Sequence, residues 1–276
     1  MEIKQIKTKL AWIVRRHPLL YYIRFLLISR NYKENPLHLP AFNDINNPAD
    51  ADSLFYEVNS EIDIANGADE VDKSLAIARF LYTKHKYRGR GLGLSSNKSL
   101  RLIYNREAGV CSDHSQIFNV FCLINNIKVR EWGIVDKLYR SDYGHTFNEI
   151  YSARLQKWIM IDVWKGILFT DGVPGSVPFS AVELFLHLRH GNALHFVQFV
   201  DEVTGEDRIY KLYSAKTIPF LIDNYDNKVY DHYLNKYQDR YPSFLINAFL
   251  ILLGKNYRFL FPLDNYKEKL LNAFKS

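Results

Sequence analysis

A helix that opens on a cysteine, followed by paired strands carrying a histidine and an aspartate, is the core architecture this sequence predicts. Two observations support it. An apolar stripe at helical spacing begins just after Gly109-Val110-Cys111, and two strand-like runs, residues 145–151 and 157–163, follow with a short connection between them. The chain is long and apolar enough to bury a sizeable core: 276 residues, 47% hydrophobic and 15% aromatic, as one elaborated domain or one domain with appended elements.

Residues 1–30 are basic and rich in Leu, Ile, Trp and Tyr, but Arg15, Arg16, His17, Pro18 and Arg24 interrupt every apolar run. No stretch reaches the roughly 20 apolar residues that span a bilayer, and no small-residue cleavage site follows a signal-like core. A cytoplasmic protein is therefore expected. Trp12, Tyr21, Tyr22 and Phe25 leave two readings of the segment: a helix packing its apolar stripe on the body of the protein, or a peripheral contact with an anionic inner-membrane surface. Pro36, Pro40 and Pro48 among Asn and Asp mark residues 31–67 as a largely irregular connection.

Asp69-Glu70 starts a helix expected to run through Tyr87, with Val71, Leu75, Ala78 and Tyr82 on one face. The glycine-rich stretch over residues 89–96 reads as a loop bordering the active-site cleft. It is not a phosphate loop, since Arg88-Gly-Arg-Gly-Leu-Gly lacks the Gly-Lys-Ser/Thr ending. Asn97 is read as the cap of a short helix ending at Ala108-Gly109. The next helix spans residues 112–125, where Ile117, Val120, Phe121 and Ile124 form one stripe and Asp113 suits the positive end of the dipole. Asn125-Asn126 ends it, and residues 128–135 read as a strand.

Cys111 falls at the start of that helix. A cysteine attacks as its thiolate, and the free N–H groups of a helix N-terminus lower the thiol pKa. His145 and Asp162 are positioned by a count. If a simple hairpin turns between Ala153 and Arg154, His145 faces Asp162 directly. Residues so paired share a face with Cβ atoms roughly 5 Å apart, within reach of an imidazole-to-carboxylate hydrogen bond. A bulge or an odd-length loop would break this parity. Cysteine is among the most buried residue types, so Cys111 alone would read as a core residue; within the three-part pattern it reads as a nucleophile. Cys122, inside the apolar part of the same helix, reads as core.

Gly-Val-Cys111-Ser-Asp-His, His145-Thr-Phe-Asn-Glu-Ile-Tyr and Trp158-Ile-Met-Ile-Asp162 together resemble the transglutaminase-like cysteine enzyme superfamily. Its pattern is a Cys opening a helix, a strand with H-x-x-x-E-x-Y, and a strand with W-x-x-x-D. The resemblance covers roughly residues 70–170. After the Asp, many members continue with Pro-Thr, whereas this chain has Val163-Trp164-Lys165, a departure that bears on the substrate pocket. The resemblance implies a papain-like α+β core: Cys111 at a helix N-terminus, packed on an antiparallel sheet that carries His145 and Asp162. It also implies a thioester on Cys111, with His145 moving the proton and Asp162 fixing the imidazole tautomer.

The backbone N–H of Cys111 supplies one oxyanion donor; Asn97 and Asn105 are the guesses for a second. Trp132, Trp158 and Trp164 are read either as aromatic walls that exclude water and admit an amine or, more simply, as core and strand aromatics. His114 is read as a surface or supporting residue and Glu149 as a structural carboxylate. No metal site and no cofactor are expected.

The expected function is acyl transfer through a Cys thioester, joining a carboxyl or carboxamide donor to an amine. The alternatives are amide hydrolysis by the same residues, with water as acceptor, or a noncatalytic scaffold of the same fold. Similar elaborated chains occur in bacterial surface-polysaccharide loci, so the resemblance suggests an anionic glycan or sugar-nucleotide carboxylate as acyl donor. The expected organisation is an N-terminal segment over residues 1–67, the core over 68–170 and a C-terminal elaboration over 171–276. In that elaboration, residues 180–189 read as helix, 194–200 and 208–214 as strands, and 242–253 as a buried helix. Net charge is +6 and the pI near 9.1, with basic residues throughout the chain. No arginine-rich arm, zinc knuckle or recognised binding motif accompanies them, so nucleic acid is not expected as a partner. Two cysteines make no disulfide framework, and a free thiol suits a reducing compartment.

Overall fold

The structure is a computed structural model that describes residues 18–84, 91–138, 144–201 and 206–272. Trp12, the rest of the chain through His17, and the Tyr87-to-Arg90 part of the expected helix end and glycine-rich loop lie outside these residues. In chain order, helix α1 (Pro18–Ile28) runs into strand β1 (Ser29–Asn31), and 3-10 turns at Pro36–His38, Phe42–Asp44 and Pro48–Asp50 lead to α2 (Ser53–Asn59). The core follows as α3 (Glu70–Thr83), α4 (Ser96–Tyr104), α5 (Cys111–Ile124), β2 (Val129–Val135), β3 (Gly144–Ser152), β4 (Lys157–Asp162) and β5 (Ile167–Thr170). The remaining elements are α6 (Ala181–Arg189), β6 (His195–Gln198), α7 (Glu206–Leu212), β7 (Ile218–Asp223), α8 (Asn227–Tyr237), α9 (Ser243–Leu252), β8 (Arg258–Phe261) and α10 (Tyr266–Asn272).

All the strands join one mixed sheet in the order β1-β8-β7-β2-β3-β4-β5-β6, so the chain is α+β. Its pairs are antiparallel except β1 with β8. Strand alternation sorts the side chains to two faces. On β3, Ile150 joins the core made with Phe55, Ile77, Ile117 and Phe121 from α2, α3 and α5. Phe147, three residues earlier on the same strand, points the other way, into a core with Leu184 and Phe185 of α6 and Tyr213 just past α7. α1 and α10 cover β7 and β8 through Phe25, Ile28, Phe220, Phe259 and Leu270. Burying each such ring or branched chain contributes about 1.5–3 kcal/mol relative to exposure.

Several elements depart from expectation. Residues 208–214 are not a strand; α7 runs through Leu212, and Tyr213, just past its end, keeps the helical bond to the Ile209 carbonyl and buries in the same core as Ile209 four residues before. Over so short a run, spacings of two and four fit the same residues. α3 is capped by Asp69, whose side chain accepts from Val71 and Asp72 N–H, but it buries Ser74, Ile77, Ala78 and Leu81, a face rotated from the expected one. Ser95, not Asn97, holds the N-cap position of α4, without a side-chain capping bond, and the helix ends at Tyr104; the chain then turns through Arg106 at φ 56°. Residues 31–67 hold α2 as well as irregular chain. α9 buries only Ile246 and Leu250 and leaves Leu245, Phe249 and Leu252 exposed, so it is not the fully buried helix its composition suggested. α1 likewise buries Phe25 and Ile28 while exposing Leu19, Ile23, Leu26 and Leu27. Among the described residues, no helix is long and apolar enough to cross a membrane.

The hairpin of β3 and β4 differs in register from the simple count. Tyr151 pairs with Trp158 and Asn148 with Ile161, two residues away from the expected partners. The turn takes residues 153–156 instead of a tight reversal at Ala153-Arg154, and Gln156 adopts a left-handed φ of 50°. A shift of two preserves the face, because side chains alternate with period two. His145 and Asp162 therefore remain on the same side, diagonal to one another rather than directly opposite.

Candidate active site

Cys111 is the first residue of α5, and three local features set it there. Gly109 has φ 132°, a conformation that disfavours other residues, and an added Cβ would press on Ile103 and His114. Val110 is extended and precedes the first turn. Asp113, three residues in, accepts from the Val110 N–H at 2.9 Å and from the Leu92 N–H at 3.2 Å, tying the end of the glycine-rich loop to the helix start. Beneath this turn His114 is 1% exposed, with its ring edge-on to Trp164 at 4.9 Å. Burial lowers its pKa to about 4, so it is a neutral supporting residue and not a surface one.

His145 and Asp162, from adjacent strands, meet through Nε2 and Oδ2 at 2.7 Å, both buried. Asp162 is further held by the Tyr213 hydroxyl, which donates to Oδ2 at 2.7 Å, and by the Lys165 N–H, which donates to Oδ1 at 2.9 Å. With Nε2 committed to the carboxylate, Nδ1 is the ring nitrogen left for the thiol. Burial opposes charge on His145, but Asp162 and Cys111 overcome it and push its pKa up to about 10. Burial also opposes the Cys111 thiolate, and the adjacent imidazolium outweighs it, holding the thiol below its ordinary range. Asp162 is likewise held low by His145, Tyr213 and the Lys165 N–H against the cost of its burial. The three groups favour a thiolate and imidazolium pair oriented by an ionised carboxylate.

The thiol opens into a cleft of about 350 Å³ lined by Glu131, His145, Phe220, Tyr225, Tyr230 and Phe259, among others. Phe220 comes to the cleft by lying across Gly133, its ring only 2.4 Å from where a Cβ would stand. Tyr225 and Tyr230 stack at 4.2 Å, and Arg24 donates to the Tyr257 hydroxyl at 2.6 Å. The aromatic wall thus comes from the C-terminal elements. Trp132, Trp158 and Trp164 do not line the cleft. Trp132 is a core residue whose Nε1 donates to Glu149, and Trp158 lies under the Arg130 guanidinium at 3.7 Å. Glu149 also accepts from the Ala181 N–H at 2.6 Å, tying α6 to the sheet.

Asn97 donates to Asp52 and Asn105 to Glu107, so neither is directed at the thiol. Gln116 does line the cleft, and its enclosed Nε2 has no acceptor among the described residues. Cys122 is fully buried, with its thiol pKa raised by burial. Among the described residues, no group of His, Cys, Asp and Glu forms a set able to hold a metal ion. Sequence reasoning missed Tyr213, Gln116, Glu131 and the tyrosine wall. The density of tyrosine from Tyr225 to Tyr257 was the one signal available for the last of these.

A thiol at a helix N-terminus with an imidazole and a carboxylate on neighbouring strands is the arrangement of α+β cysteine-dependent enzymes. Residues 58–163 match the family model of the transglutaminase-like superfamily, and this part of the chain is a transglutaminase-like core. No curated protein matches the sequence. A crystal structure of a candidate cysteine protease from Cytophaga hutchinsonii is similar at 22% identity and a TM-score of 0.32, covering 52% of this chain and 42% of that one. The match thus spans less than half of that protein's length.

Proposed function

We propose that the protein transfers an acyl group through a thioester on Cys111 to an amine, forming an amide. The observation that supports it best is the continuous set Cys111, His145, Asp162 and Tyr213, whose electrostatics favour a thiolate beside an imidazolium. The Cys111 Sγ attacks the carbonyl carbon of a carboxamide donor and forms a tetrahedral oxyanion. The carbon–nitrogen bond then breaks as His145 gives its Nδ1 proton to the leaving amine. An acceptor amine attacks the thioester, His145 takes a proton from it, and the thiolate leaves. The Cys111 N–H and the Gln116 carboxamide serve as oxyanion donors; the buried, unsatisfied Nε2 of Gln116 supports its role.

Water in place of the amine makes the same site an amide hydrolase. The aromatic walls built by Phe220, Tyr225 and Tyr230 favour transfer, because they limit water at the thioester. A glycan or sugar-nucleotide carboxylate as donor rests on the resemblance alone. The test is to offer p-nitrophenyl acetate with and without a primary amine. Acetyl on Cys111 by intact mass, released as N-substituted acetamide when amine is present, supports transfer; release only as acetate supports hydrolysis. Failure of Cys111 to acylate would overturn both.

We also propose a peripheral contact with an anionic membrane surface. The whole formal excess of +6 resides in residues 1–30, where Lys4, Lys7, Lys9, Arg15, Arg16, Arg24 and Arg30 stand against Glu2 alone. α1 and α9 expose leucines, and Ile251 of α9 packs into the same core as Phe25 and Ile28 of α1.

A further inference from the structure

Glu131 is a buried titratable group in the catalytic cleft that the acyl-transfer chemistry leaves unused. It lies on β2 opposite Asn148 of β3, is 7% exposed, and lines the same cleft as Cys111. One carboxyl oxygen is held by a relay: Asn148 Nδ2 donates to Asn119 Oδ1 at 2.8 Å, and Asn119 Nδ2 donates to Glu131 Oε2 at 2.9 Å. Asn148 is itself anchored to the Ser115 carbonyl of α5 at 3.0 Å. The other oxygen, Oε1, makes no hydrogen bond among the described residues, and no Lys or Arg there forms a salt bridge with Glu131. A buried carboxyl without a cationic partner is costly, and such groups concentrate at functional sites. Phe220, Tyr225 and Tyr230 share its cleft, and aromatic rings attract cations.

We propose that Glu131 is the ammonium-binding group of the acceptor subsite, so that the acceptor is a primary alkylamine whose nitrogen seats between Glu131 and the acylated Cys111. The inference specifies the acceptor of the thioester reaction and rests on that reading for its catalytic meaning. The ammonium gives one proton to the Glu131 carboxylate and becomes the nucleophile. Its nitrogen bonds to the thioester carbon, the carbon–sulfur bond breaks, Sγ leaves as thiolate, and the second proton passes to His145. Glu131 ends protonated, and the charges balance.

Burial raises the Glu131 pKa to about 8 against the pull of the Asn119 hydrogen bond, with Cys111 and Asp113 raising it further. An arriving ammonium should therefore expel a proton from Glu131 to solvent, and binding should tighten as pH rises toward 8. Cys111 and Asp113 from α5, His145 from β3, Tyr225 beyond β7 and Arg24 from α1 also face this cleft. A control without the Glu131 carboxyl separates its titration from theirs.

The test is calorimetric titration of the full chain carrying Cys111→Ala with n-butylamine, butyrate and 1-butanol. n-Butylamine should bind in preference to the other two, at least 10-fold more weakly once Glu131→Gln is added. Affinity should rise from pH 6 to pH 8 only with Glu131 present. Proton release, read from the dependence of heat on buffer ionisation, needs no change at Glu131 and stands even if that variant fails to fold. Equal n-butylamine affinity in the two folded proteins, a preference for butyrate, or binding without proton release would overturn the proposal. Because the thiol is absent, this result is independent of whether Cys111 acylates, and the two readings fail separately.

Discussion

Tyr213 and His145 converge on a single oxygen, Oδ2 of Asp162, each at 2.7 Å. The carboxylate is thereby fixed from the α7 side of the sheet as well as from the strand that carries the imidazole. Tyr213→Phe should keep the ring packing against Phe169 and Phe185 while removing one charge-assisted hydrogen bond. A bond of that kind is worth about 1.5–3 kcal/mol, so kcat/KM should fall about 10- to 100-fold without loss of fold, as steady-state kinetics and circular dichroism would show.

Gln116 is expected to act on the oxyanion rather than on substrate affinity. Gln116→Ala should lower kcat about 100-fold with little change in KM. A change confined to KM would place Gln116 in substrate binding instead.

Glu131 should make stability depend on pH. Its carboxyl titrates near 4.5 when unperturbed and at about 8 in the folded protein. Between those values the unfolded chain releases a proton that the folded chain retains, so the Glu131 contribution to stability falls as pH rises. Glu131→Gln keeps an acceptor for Asn119 and removes the titration. Its stability relative to wild type should grow with pH up to about 8, by at most ~1.4 kcal/mol per pH unit, and then level off, measurable by urea unfolding across pH.

The exposed leucines of α1 and α9, with the basic residues of the first 30, predict retention on anionic vesicles in flotation. Retention should weaken with salt and with Leu26→Glu and Leu27→Glu. Equal flotation on neutral vesicles would remove the electrostatic part.

Much of the site was legible in sequence because it is local. Gly109-Val110-Cys111 carries its own helix start, and strand parity survives a two-residue register shift, so His145 and Asp162 met although their pairing was misplaced. What sequence did not carry is long-range. Tyr213 reaches Asp162 across a fold whose connection was misread as a strand, since Ile209 and Tyr213 satisfy both periods. The cleft wall depends on β7 joining β2, a pairing no local pattern specifies, which brings Phe220 over Gly133. Glu131 looked like one polar residue in a strand; only the α5 packing shows that it is buried.

The most direct test of the central claim is the pH profile of iodoacetamide labelling, read by intact mass on wild type, Cys111→Ala and Asp162→Asn. The account predicts labelling of Cys111 at pH below that of an ordinary thiol near 8.5, none at buried Cys122, and a shift toward ordinary behaviour in Asp162→Asn. Labelling that follows an ordinary thiol in wild type, or is unchanged in Cys111→Ala, would contradict it.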